Sequence, residues 1–307
     1  MNAALKKLGF GPRDRVVVLH ADDLGMCQAT VSAFADLVEF GLMSSASTMV
    51  PCPWFLGAAR YCREHPQVDV GVHLTLNSEW ATYRWPPLST RDPASGLLDD
   101  EGYLPRRQQP VFDRAPAAAV EQEVRAQVRR AVAAGIDVTH VDTHMGTVAH
   151  PRFLPAYAQV ALEHGVPCFA LHLDENGWRR RRGFDGESAA AAARLVQELE
   201  ARGMPLFDHM TSLPLHESHD RLAAAKARLD ALPPGLSLFI FHPAQDTPEL
   251  RAITADWPSR VADYQVFTSA ALRDYVRAAG IQVIGYRPLR DLLRSSLGTS
   301  GGATAGA

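Results

Sequence analysis

Cysteine is scarce and unarranged. Cys27, Cys52, Cys62 and Cys168 are the only four in 307 residues, with no CxxC pair and no regular spacing. Each sits in or beside an apolar stretch, so packed, reduced thiols are expected rather than a disulfide framework. Also missing is any apolar run near the ~18 residues of a membrane span. The first residues, MNAALKKLGFGPRDR, carry two lysines but no apolar core of signal-peptide length. A soluble, cytoplasmic protein is the expectation. Charge of one sign is lacking too: the formal net charge is -3, which gives no overall basic field for nucleic acid and no acidic tail. Nucleic acid is therefore set aside as a partner. No internal repeat and no convincing domain linker interrupts the chain.

What is present is 47% hydrophobic residues, enough to bury a substantial core. Short β-rich runs alternate with longer Ala-, Leu- and Arg-rich amphipathic stretches from one end to the other, the signature of βα units around a parallel sheet. The candidate strands are Arg15 to His20, Ser44 to Val50, Val68 to Leu76, Val138 to His144, Pro167 to Leu173, Pro205 to His209, Leu236 to Phe241 and Gln282 to Tyr286. Eight such runs predict a barrel. Residues 1–294 are expected to form one α/β domain, with 295–307, which include the low-complexity GTSGGATAGA, as a disordered tail.

The clearest helix is Ala115 to Ala134, where Val120, Val124, Val128 and Val132 recur at i+4, Pro116 suits the first turn and Gly135 closes the end. Glu121, Glu123 and Arg125 are expected on its solvated face. Asn77 to Arg114 is too long for an ordinary βα loop and reads as a substrate-side insertion. The four arginines Arg179 to Arg182 read as a solvated loop, with contact to an anionic group as the alternative.

Acidic and histidine residues gather at the C-terminal ends of several predicted strands, the edge that holds the active site in parallel α/β folds. Strand one ends in Asp22 and Asp23, strand three carries His73, strand four supplies His140, Asp142 and His144, and strand seven leads into His242. His20, His172 and His209 are expected to be packed or hydrogen-bonded residues. A carboxylate with two imidazoles matches the nitrogen and oxygen donors that zinc prefers and several other divalent ions tolerate. Alternation puts His140, Asp142 and His144 on one face, so Asp142 can instead orient an imidazole; His144, nearest the strand's end, is the better ligand candidate.

The adjacent aspartates raise a geometric question. Neighbours in an extended strand point to opposite faces, so Asp22 and Asp23 share a site only if the strand ends there and the backbone turns, as Gly25 suggests. A hydrolytic metal site needs one group to hold the ion and another, uncoordinated, to take a proton from water; two neighbouring carboxylates can divide those roles. The alternative is that one of them caps the following helix, MCQATVSAFADLVEFG. Spacing alone does not say which aspartate does what.

Together these residues resemble the YdjC family of carbohydrate deacetylases, the ChbG/HpnK type. The likeness runs through HADDLG, SSASTMV, VGVHLTLN, THVDTHMG and FHPAQD, followed by RVADY at Arg260 to Tyr264. The resemblance implies a distorted TIM-barrel-like fold and metal-dependent hydrolysis of an N-acetyl group on a sugar. It implies Asp22 as general base, Asp23, His73 and His144 as metal ligands, and His242 as general acid. Family members have been described with magnesium or zinc, and the donor set leans toward zinc. A small N-acetylated saccharide or glycolipid is the implied substrate, with a homo-oligomer left open. The chain departs from many relatives at Asp142-Thr143-His144, where they carry DSH and continue into further histidines; here Met145, Gly146, Thr147 and Val148 follow, so the substrate does not carry over. Competing readings are a metal-dependent hydrolase of another amide or ester, a glycosidase, which would leave the histidines idle, and a non-catalytic sugar binder on the same fold.

Overall fold

Seven parallel strands make the sheet in this computed structural model, which describes residues 2–298. They are β1 (Arg15–Leu24), β2 (Ser45–Thr48), β3 (Val70–Leu74), β4 (Val138–Thr143), β5 (His209–Ser212), β6 (Gly235–Phe241) and β7 (Gln282–Val283). Their order is β4-β3-β2-β1-β6-β5, with β7 paired to the start of β1. Helices surround the sheet.

The fifth predicted strand, Pro167 to Leu173, does not form, and the barrel is not closed. This segment makes one isolated parallel bridge to β4, Val141 to Cys168, and another, Leu171 to Phe207, toward the β5 side. It passes from one neighbour to the other within four residues, too quickly for a ladder, and Pro167 contributes no N–H. β5 lies further along than predicted, starting at His209 instead of ending there, and β7 is only two residues long.

Two layers of packing set the direction of each strand. Val16 and Val18 of β1 meet Phe207, Leu236, Leu238 and Tyr286 inside the barrel. Val17, Leu19 and Ala21 face outward, in the core shared with Ala29, Phe34 and Leu37 of the helix Gln28–Phe40. The period of two then carries the inward row from Val16 and Val18 to His20 and Asp22, so an apolar floor leads up to a polar rim. All four cysteines are free and buried, and burial pushes the Cys62 and Cys168 thiols up to about 12. Among the described residues no helix is long and apolar enough to cross a membrane.

The long helix spans Ala117–Ala133, with Pro116 one position before it as the N-cap and Gly135 at φ 85 just beyond. Val120, Val124 and Val128 are buried, but Val132 is 50% exposed, because strict i+4 spacing drifts around a helix of 3.6 residues per turn. Glu123, expected in solvent, is fully buried: its carboxylate accepts the backbone N–H groups of Leu88 (3.1 Å) and Ser89 (2.8 Å). It thereby ties the insertion to the barrel wall. The insertion is ordered and packed, with Trp85, Leu97 and Leu104 buried and the Trp85 indole donating to the Asn77 carbonyl at 2.9 Å. Arg179 to Arg182 are exposed as expected, but form the last turn of a helix, Glu175–Arg182, where the C-terminal dipole favours cations. The last helix runs to Ser296, beyond the expected boundary at 294; residues 299–307 of the predicted tail lie outside the described residues.

Candidate functional site

β1 brings its two aspartates together by a route the sequence reading did not foresee. The strand does not end at His20 but continues to Leu24, and its register against β2 slips between Ala21 and Leu24. Three steps along β1, from Ala21 to Leu24, oppose two along β2, from Ala46 to Thr48, so β1 holds one extra residue. Asp23 takes it up in the left-handed region, at φ 64. Asp is among the few non-glycine residues that tolerate this conformation. The slip turns Asp23 to the same side as Asp22, and Gly25, at φ 83, makes the turn that follows. Neither carboxylate caps the next helix. Its N-cap is Cys27, with no side-chain cap bond, and Gln28 N–H goes to Glu249 at 3.3 Å.

Asp23 lies at the centre of a buried cluster. Its Oδ2 accepts from Arg260 Nη1 at 2.7 Å, while Oδ1 lies 3.5 Å from His73 Nε2 and 3.3 Å from His144 Nδ1. That Oδ1 is buried and accepts no hydrogen bond among the described residues. Burial, the largest single influence, would raise the carboxyl pKa, but the Arg260 guanidinium together with the His144 and His73 imidazoles outweighs it and holds Asp23 well below the usual range. Donor atoms of Asp23, His73 and His144 all lie within 4.8 Å of one another. Bonds of ~2.1 Å on a tetrahedron put neighbouring donors about 3.4 Å apart, close to the spacing around Asp23 Oδ1. Two imidazoles and one carboxylate thus fit a divalent ion in number, type and separation.

Each imidazole is oriented through its other nitrogen, the usual arrangement around a metal. His73 Nδ1 meets Asp142 Oδ1 at 2.8 Å and Ser47 Oγ at 3.0 Å; Asp142 Oδ2 accepts from Ser47 Oγ at 2.8 Å and meets His20 Nε2 at 2.9 Å. Asp142 therefore does orient an imidazole, that of His73 on the adjacent strand. His144 Nε2 meets Glu79 Oε2 at 3.1 Å. Burial lowers the pKa of His144, but Glu79 and Asp23 reverse the shift and take it up to about 9. Of two other groupings of titratable residues, Asp22 with His73 and Asp142 shares His73 with this one, and His20 with His140 and Asp142 adjoins it through Asp142.

Asp22 stands next to the cluster with one face open toward His242. Its Oδ2 is 3.7 Å from His242 Nε2 and 3.8 Å from His73 Nε2. Its Oδ1 lies 3.2 Å from His20 Nε2 without hydrogen-bond alignment. His242 follows β6, and its backbone N–H donates to Asp263 Oδ2 at 2.9 Å; Asp263 in turn accepts from Arg221 Nε at 2.7 Å. A cleft of about 510 Å³ opens within the insertion, lined by Glu79, Asp99, Arg106, Arg107 and Arg114 among others; of the residues around the cluster it touches Glu79, and none of Asp22, Asp23, His73, His144 and His242 lines it.

The structure thus brings Asp22, Asp23, His73, His144 and His242 to one rim. His140 is excluded from it: it stacks on Tyr286 at 3.7 Å in the barrel interior, where burial, first of all, holds it neutral. His20 is buried as expected, yet touches both Asp22 and Asp142. His172 is exposed rather than packed, 3.6 Å from Glu200, and His209 meets the Pro234 carbonyl at the start of β5; neither is at the rim. Sequence reading gave no role to Glu79, Arg260 or Ser47. Ser47 and Arg260 lie inside the quoted SSASTMV and RVADY segments. The buried Asp23 needed a cation, and Arg260 is the one such residue that RVADY offers.

Comparison with known proteins finds relatives that match over nearly the whole chain. A carbohydrate deacetylase of Thermus thermophilus is 33% identical over 290 residues, covering 94% of this chain and 98% of that protein. A carbohydrate deacetylase of Thermoanaerobacter pseudethanolicus is 20% identical over 90% of this chain and all of its own length. Among solved structures, one from Enterococcus faecalis V583, provisionally described as a cellobiose-phosphate cleavage protein, superposes with a TM-score of 0.72 at 19% identity, covering 90% of this chain and 99% of that one, a likeness of fold. The profile of the YdjC-like proteins matches residues 16–278, and the chain belongs to that family.

Proposed function

We propose that the protein is a metal-dependent deacetylase that removes an N-acetyl group from an acetylated amino sugar, in an oligosaccharide or a glycolipid. The observation that carries this reading is the division between two neighbouring carboxylates. Asp23 is committed to His73, His144 and Arg260, while Asp22 faces His242. The deacetylase relatives of matching length support the same chemistry.

Asp23, His73 and His144 would hold the ion, and their nitrogen-rich set favours zinc over magnesium, which prefers oxygen donors. A divalent ion there supplies Lewis acidity, polarising an amide carbonyl and lowering the pKa of water toward ~7. Asp22 takes the proton from the attacking water. His242 delivers a proton to the amide nitrogen as the C–N bond breaks, so that water is consumed and acetate and a free amine leave. Asp263 fixes the His242 backbone, and Arg221 fixes Asp263. The buried, unpaired thiols suit a cytoplasmic setting.

The test is a panel of N-acetylated saccharides and glycolipids incubated with zinc-loaded and with chelator-treated protein, reading both acetate and new reducing ends. Acetate from at least one substrate, abolished by chelation and restored by zinc, with no new reducing ends, is expected. Acetate from none, or reducing ends in its place, would overturn the proposal.

A further inference from the structure

The insertion sends two consecutive residues toward the candidate metal centre. Glu79 Oε2 meets His144 Nε2 at 3.1 Å, and the Trp80 ring lies 5.8 Å from the guanidinium carbon of Arg260, whose Nη1 holds Asp23 Oδ2. Two of the three candidate ligands are therefore reached from one short segment, His144 directly and Asp23 through Arg260. The third, His73, is fixed from within the barrel by Asp142 and Ser47.

Glu79 is itself held on both sides. Ser78 N–H donates to the Pro105 carbonyl at 3.1 Å, and Arg106 Nε donates to the Glu79 carbonyl at 3.3 Å. Trp80 packs edge-on against the buried Trp85, 5.6 Å between centroids, and Glu123 clamps the next stretch at Leu88 and Ser89. Beyond the site, Gln108 Nε2 donates to the Met145 carbonyl and Thr147 Oγ1 to Asn77 Oδ1, so the insertion grips the segment after His144 as well. Glu79 is bound to the ring nitrogen opposite the one facing Asp23, which makes it an orienting group and not a further donor to the same ion.

We infer that Glu79 is a positioning residue: it holds His144 Nε2 so that Nδ1 faces Asp23 Oδ1, and the insertion serves as the outer support of the metal centre. This rests on the assignment of Asp23, His73 and His144 as the ligand set. An imidazole that loses such a partner keeps its donor atom but not its orientation, and partners of this kind are typically worth 10- to 100-fold in metal affinity.

The experiment measures zinc affinity of the full chain by competition with a chromophoric chelator, for the wild type, Glu79→Ala and Glu79→Gln. The cobalt absorption spectrum and the melting temperature of the metal-free protein are recorded for each. Glu79→Ala should bind zinc about 10- to 100-fold more weakly and shift the cobalt bands, whatever the change in the metal-free melting temperature. Glu79→Gln, which keeps an acceptor oxygen but loses the charge, should lie between. Wild-type affinity in Glu79→Ala, or a lowered metal-free melting temperature as its sole effect, overturns the inference. If the alanine variant does not fold, the glutamine variant decides, and unchanged affinity with an unchanged cobalt spectrum overturns it. A wild type that takes up no zinc refutes the ligand set and the inference together. A wild type that binds zinc but releases no acetate refutes the deacetylase proposal alone, because the affinity comparison still stands.

Discussion

Single residues decide this site by the partners they are given. His20 is completely buried, and burial lowers its pKa, but hydrogen bonding to Asp142 and the nearby Asp22 outweigh that and raise it to about 9. The groups facing it are Asp22, Asp142, His140 and Tyr286, with Ser45 and Ser47 on the ring nitrogens. A histidine raised above its unfolded value of ~6.5 contributes stability fully below that pH and loses it as pH rises through the folded value. For His20 the window is about 6.5 to 9, and the loss is of order 3 kcal/mol at most. His140, held neutral, acts with the opposite sign below 6.5 and does not enter this window. Urea unfolding of chelated protein between pH 6.5 and 9.5 should therefore show falling stability, and a flatter profile in His20→Gln; equal profiles would refute the charged His20. The five residues of the rim were legible as types at predicted strand ends. Their supporting partners were not: Glu79 and His144 are far apart in sequence, and no local pattern links a glutamate in a long insertion to a histidine after β4.

Elements succeed or fail here according to how locally they are encoded. The β1, β4 and β6 strands and the Ala117–Ala133 helix were legible from apolar runs and periodicity, with small errors at their ends. The Pro167 to Leu173 segment was not, because its apolar character reflects burial between two neighbours and not pairing along either. The extra residue in β1 escaped as well, since a register slip depends on the partner strand. Gly71 on β3 shows the same limit. Its strand looked ordinary in sequence, yet a Cβ there would lie 2.5 Å from the His140 carbonyl oxygen and from two atoms of the imidazole ring. That close approach leaves the space His140 occupies against Tyr286. Gly71→Ala should lower the unfolding free energy by about 1–3 kcal/mol through overpacking, read as a lower urea midpoint at unchanged slope. An unchanged midpoint would mean that β4 yields without cost.

At the scale of the whole molecule, the barrel and the insertion divide the work. Inward rows that are apolar at Val16, Val18, Leu236 and Leu238 become polar toward the rim, and the rim's carboxylates and imidazoles converge because parallel strands end on the same side. The barrel fixes His73 and Asp22; the insertion supports His144 and, through Arg260, Asp23. The central claim is that the two neighbouring aspartates have separate duties, one to the ion and one to the water. The most direct test is the acetate turnover of Asp22→Asn at saturating zinc, with bound metal measured on the same sample. The account predicts a full complement of zinc and a turnover reduced by about 10²- to 10⁴-fold, the usual scale for a lost general base. Near-normal turnover with zinc in place would contradict it.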